Sequence, residues 1–95
     1  MKPREKFVED MKNQLDAFNQ RIDELEDRAE TIKADAQEMY QTRMNQVRDQ
    51  RDQFTAKIME VEKSTEEAWT KLKNGVEIAR AGLKAGIQEA IDQYK

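Results

Sequence analysis

Ninety-five residues allow one domain at most, or an elongated element that completes its core with a partner. Charged residues (39%) outnumber hydrophobic ones (37%), a balance poor for a compact monomer and typical of long helices. Seventeen basic and 20 acidic residues leave a net charge of -3, without the basic excess expected of a nucleic-acid binder.

The chain has no cysteine, hence no disulfide, thiolate nucleophile or cysteine metal site. It has no histidine, which removes the commonest general base together with the commonest metal ligand. No apolar run is long enough to span a membrane, and the opening MKPREKFVED is too charged for a secretory signal. A cytoplasmic location is expected, with attachment to a membrane surface as the variant.

Taken in chain order, the first element is a heptad block. Val8, Met11, Leu15, Phe18, Ile22, Leu25, Ala29, Ile32, Ala36 and Met39 step by alternating threes and fours. That spacing keeps one seam of a helix facing a partner, so these residues predict a coiled coil and an oligomer seam. Around Tyr40 to Met44 the phase slips by one residue, and the seam resumes as Met44, Val47, Arg51, Phe54, Ile58 and Val61. A slip of this kind changes supercoiling locally without ending a helix. The polar stretch QTRMNQVRDQRDQ (41–53) contains no Gly or Pro. A continuous helix through it is the preferred reading, and a loop between antiparallel helices competes.

The string STEE at 64–67 fits a capping box, with Ser64 as acceptor and Glu67 reaching back. The alternative is one unbroken helix with Ser64 on its surface; read as a cap, the string divides the chain into a long helix over about 4–63 and a second helix over about 65–93. At 1.5 Å per residue these would be roughly 90 Å and 40 Å long. Neither hides its apolar face in itself, so an oligomer or a helical protein partner is expected on burial grounds. Ala29 and Ala36 suit antiparallel or higher-order bundles, while strand direction and oligomer number stay open.

On the second helix Trp69, Leu72, Val76, Ala79, Leu83, Ile87, Ile91 and Tyr94 form one apolar face, with Ala90 beside them. Gly75, Gly82 and Gly86 lie along one edge of it, and Lys73, Arg80 and Lys84 along the other. Each glycine in a helix interior costs about 1 kcal/mol relative to alanine, so the pattern asks for a use. Close packing against another helix is one use, with small residues four apart letting backbones approach. A membrane-surface helix, with Trp69 and Ile87 inserted and the cations near anionic headgroups, is the other.

The residues Ala68, Trp69, Leu72, Lys73, Gly75, Val76, Glu77 and Ala79, followed by Leu83 and Lys84, make a pattern A-W-x-x-L-K-x-G-V-E-x-A with a further Leu-Lys step. This resembles the C-terminal part of a family of small bacterial coiled-coil stress-response proteins, first described from cyanobacteria. The chain departs from that pattern in having Glu66 and Glu67 before the Ala-Trp pair, and Arg80 where a second aromatic is common. The resemblance implies a stress-linked protein and carries over no catalytic residue.

Chemistry is sought elsewhere without result. Asp23 with Asp27 and Glu26 with Glu30 sit at helical spacing, yet a di-metal bundle site wants Glu-x-x-His pairs projecting inward. NGVEIARAGLKAG has neither phosphate-loop spacing nor a preceding strand. Arg43, Arg48 and Arg51 could touch a phosphate backbone, but Asp49 and Asp52 interleave with them. The expectation is an all-α helical hairpin or bundle without catalytic residues, cofactor or metal. It would act through helix–helix contact, with lipid-surface binding through the C-terminal helix as the alternative and nucleic-acid association behind both.

Overall fold

The apolar stripe that begins at Val8 becomes the inner face of helix α1 (Pro3–Asp27) in the computed structural model, which describes residues 2–94. Pro3 starts the helix, where its missing N–H is one the first turn leaves unpaired anyway. Val8, Met11, Phe18, Ile22 and Leu25 are buried, and Leu15 is half-buried beside them. Helix α2 (Gln37–Lys63) turns Tyr40, Met44, Val47, Phe54, Ile58 and Val61 inward. Helix α3 (Trp69–Gln93) contributes Val76, Leu83, Gly86, Ile87 and Ala90.

Cross-contacts show how the helices run. Lys12 pairs with Glu62 at 2.6 Å, the Phe18 ring meets Phe54 at 6.0 Å, and Glu26 pairs with Arg48 at 3.1 Å. Numbers rise on α1 as they fall on α2, so the two are antiparallel. Gly75 lies beside Lys57 and Glu89 pairs with Arg43 at 3.0 Å, which makes α3 antiparallel to α2. Helices α1 and α3 are therefore parallel, with Phe7 against Trp69 at one end and Arg28 donating to the Tyr94 carbonyl at the other. The result is an up-down-up three-helix bundle of 51 × 19 × 17 Å, all-α as expected, with no strand among the described residues.

The continuous helix expected over 4–63 is interrupted. Two 3₁₀ turns, Arg28–Thr31 and Ala34–Ala36, flank an extended pair, Ile32 (φ -80°, ψ 129°) and Lys33 (φ -63°, ψ 149°). No glycine or proline marks the reversal. Its reason is tertiary: an unbroken helix would leave the stripe in water until a second chain covered it. Folding α2 back covers it at once and loses no translational freedom. Burial of the stripe thus needs no second chain.

Four of the expected seam positions are displaced by this reversal. Ala29, Ile32 and Ala36 are half-buried in the turn rather than on a helix seam. Met39 is 63% exposed, and Tyr40, 1% exposed, takes the core position instead. From Tyr40 onward the inward residues keep one register through 41–53, which lie within α2.

At the other end α2 stops at Lys63 and Ser64 is extended (φ -78°, ψ 167°). The capping expected of Ser64 is not made: no side chain caps α3, and Thr65 closes the turn before it. The Ser64 hydroxyl donates back to the Val61 carbonyl at 2.6 Å, while Thr65 Oγ1 accepts the Ala68 N–H at 3.1 Å. Regular helix resumes at Trp69 rather than at 65. Arg4 ties this corner down, donating to the Ser64 carbonyl and pairing with Glu66 at 3.1 Å.

Tyr40 joins all three helices where the chain reverses. Its hydroxyl donates to the buried Leu25 carbonyl, and its ring stands edge-on to Tyr94 at 5.1 Å. Burial, and secondarily the negative charge of Glu26, holds the phenol above its ordinary pKa. Raised in the folded state, this pKa contributes stability that is present below the unfolded value near 10 and is lost as pH rises through the folded value. Tyr40→Phe is expected to cost about 0.5–1.5 kcal/mol in urea unfolding at neutral pH, because the Leu25 carbonyl loses the phenol and is left with the Arg28 N–H. The variant should also lose stability less steeply than the parent above about pH 10. A parallel alkaline decline in both chains would show that Tyr40 does not titrate with unfolding.

Candidate functional site

The apolar face of α3 docks onto its own chain. Val76, Leu83 and Ile87 are at most 1% exposed, and Trp69, Leu72, Ala79, Ile91 and Tyr94 pack half-buried around them. Trp69 stacks at 5.7 Å on Phe7, and the Lys73 ammonium lies 5.5 Å from the Phe7 ring and 5.9 Å from that of Trp69. A cation over two rings is favourable where the site is partly desolvated. Inserting Trp69 and Ile87 into a bilayer would therefore require α3 to leave the bundle. No helix among the described residues is long and apolar enough to cross a membrane.

The central arginines are engaged by carboxylates. Arg43 meets Glu89 at 3.0 Å, Arg48 meets Glu26 at 3.1 Å, and Arg51 meets Asp52 at 3.3 Å. They stitch helices together and tie down neighbouring charge rather than presenting one basic face. Among the described residues no group of three or more acidic, histidine or cysteine side chains could hold a metal ion. Among the described residues the buried core is apolar apart from the Tyr40 hydroxyl, spent on the Leu25 carbonyl, and from Asn19 Oδ1 and the Tyr94 hydroxyl, both shielded from solvent.

The three glycines do not all serve the same purpose. A methyl group built on Gly75 would meet only Lys57 Cδ, and one on Gly82 only Gln50 Nε2, each at 3.9 Å. These are ordinary contacts with flexible side chains, so the approach of α2 to α3 does not demand glycine at either position. Gly86 differs: Gln50 folds its amide over it, and a methyl there would come within 2.2 Å of Oε1. Even at Gly86 the near atoms belong to the Gln50 side chain rather than to the backbone of α2.

The surface of α3 turned away from the bundle gives the other two glycines a context. Ile78 is 65% exposed, and Ala81 and Ala85 are exposed on the same side, with Gly82 half-buried at the edge. A shallow hollow beside Ile78 is lined by Gln53, Ala56, Gly75 and Ala79, with Lys57 of α2 as its one charged side chain. In a chain that is 39% charged, this outer strip carries no charge from Asn74 through Ala85, while Lys71 stands at one end and Glu89 and Asp92 at the other. Apolar periodicity does not pick this strip out, because Ile78 sits on the opposite side of the helix from Val76, Leu83 and Ile87, where an isoleucine breaks the pattern.

Gly75→Ala and Gly82→Ala are each expected to raise the stability of the bundle by about 0.5–1 kcal/mol in urea unfolding, through helix propensity alone. Gly86→Ala must first displace Gln50 and should gain less. Destabilisation by the first two would mean that the backbone needs glycine there for its own packing.

Comparison of the chain with family models, with curated protein sequences and with solved structures gives no match.

Proposed function

We propose that this is a non-catalytic helix–helix interaction protein that self-associates through the outer strip of α3. The observation that carries the reading is the exposed Ile78 on an uncharged strip whose two ends have opposite charge. An antiparallel copy of α3 crossing between Ala81 and Gly82 sets Ile78 against Ala85 of the second copy, and Lys71 against Asp92. Such a pairing is isologous, each contact occurring twice about a two-fold axis. Parallel pairing would place like charges together at both ends. Small residues at the crossing let two backbones approach closely, a use for Gly82 that the monomer does not supply.

A bacterial stress-response setting belongs to the same proposal and rests on the resemblance carried by residues 68–84. Opening of the bundle to lay α3 on a lipid surface is the less favoured alternative, since its apolar face is already covered within the chain.

Sedimentation equilibrium over a wide range of micromolar concentrations is expected to show a monomer–dimer equilibrium. Ile78→Glu should abolish it while leaving helicity unchanged, because Ile78 is mostly exposed in the monomer. Lys71→Glu should weaken association, and Lys71→Glu with Asp92→Lys should restore it. A purely monomeric parent chain, or association untouched by Ile78→Glu, would rule out this strip as the interface.

A further inference from the structure

We infer that a hollow between α1 and α3, lined by Arg21, Arg80 and Lys84, is a binding site for a phosphate group. Arg21 reaches it from α1, Arg80 and Lys84 from successive turns of α3, and Gln14 completes the polar lining. Its apolar floor is made by Ala17 and the buried Phe18. No carboxylate lines it, nor the adjoining hollow that shares Arg80 and Lys84 and adds Gln88.

The hollow around Arg4 and Lys12 includes Glu5, Glu9 and Glu62, and the one around Arg43 includes Asp49 and Glu89. Arg4, Lys12, Arg43, Arg48, Arg51 and Lys73 each hold a carboxylate. Arg21, Arg80 and Lys84 hold none among the described residues, so three like charges converge where a net acidic chain places no counter-charge. Mutual repulsion makes that arrangement unfavourable by itself, and a bound anion relieves it. The apolar floor lowers the local dielectric and strengthens attraction for an incoming anion.

The donor set favours a tetrahedral dianion over a carboxylate. Two guanidinium forks can each take a pair of oxygens, and an ammonium adds a compact point charge. A carboxylate has too few oxygens and too little charge to satisfy all three. The phosphate could come from a lipid headgroup or from a free phosphate compound; the chemistry of recognition is common to both. This site lies beside the outer strip of α3 and does not depend on self-association through it.

The test is a titration of the full chain with inorganic phosphate, followed by nitrogen–proton correlation spectra, against chloride at matched ionic strength. Saturable shifts centred on the side-chain N–H groups of Arg21 and Arg80 are expected with phosphate only. Affinity should rise with pH through the second ionisation of phosphate. The chain has no histidine, so no side chain at its ordinary pKa changes charge in that range.

Arg21→Gln, Arg80→Gln and Lys84→Gln together should weaken binding by roughly tenfold or more. Should the triple change reduce helicity, Lys84→Gln alone, at an exposed position, must still weaken it. Co-sedimentation with phosphatidylcholine vesicles containing phosphatidic acid, competed by inorganic phosphate, would support the site and name a headgroup as the source. Phosphate shifts without vesicle binding would support it with a free phosphate as the source. Shifts reproduced by chloride, or unchanged in the variants, would overturn the assignment.

Discussion

Gln37 reaches back across the chain reversal and donates its side-chain amide to two carbonyls at once, those of Ala29 and Ile32, each at 2.8 Å. These belong to the stretch where α1 has ended and α2 has yet to begin, and where the backbone serves the Ala29 carbonyl only through the long bond from the Ile32 N–H at 3.3 Å. Thr31 adds a hydroxyl to the Arg28 carbonyl at 2.8 Å, and Arg28 itself is fastened to the Tyr94 carbonyl at 2.7 Å. With its polar groups served in this way, a turn built without glycine or proline can hold. If it did not, α1 and α2 would be one rod, its stripe would face water, and α3 would have no groove to fill.

What the amino-acid order made legible was the inward face of each helix. The threes and fours that pick out Val8, Met11, Phe18, Ile22 and Leu25 describe a buried stripe correctly whether the covering helix comes from the same chain or another. That is why heptad spacing alone could not distinguish a seam between chains from a core within one. The reversal did leave a trace: the phase slips near Tyr40, because Met39 continues the α1 register while Tyr40 opens that of α2. A slip also fits a stutter in an unbroken coiled coil, and side-chain capping by Gln37 has no local signature. At Ser64 the signal was local, since Ser and Thr side by side before two acidic residues suit a helix start, but a surface serine in an unbroken helix fits the same string. Deciding which hydroxyl accepts required coordinates.

The candidate sites were less legible for a related reason. The positions that matter for contact with other molecules are those the core does not use, and their significance comes from what other helices bring beside them. Arg80 and Lys84 were visible as a basic edge of α3, but Arg21 joins them only because α1 runs parallel to α3. Gly75 and Gly82 were visible as costly residues. That their neighbours leave room for a side chain emerged from the distances to Lys57 and Gln50.

The placement of the methionines has a chemical consequence. Met11 and Met44 are buried at 7% and 0% exposure, whereas Met39 and Met59 stand out at 63% and 45%. A dissolved oxidant meets the exposed thioethers first, and a sulfoxide there adds a polar group where water already is. The same modification at Met44 would force that group into the apolar interior. The surface pair thus intercepts oxidising equivalents ahead of the core, and with no cysteine in the chain thioethers are the only sulfur it offers.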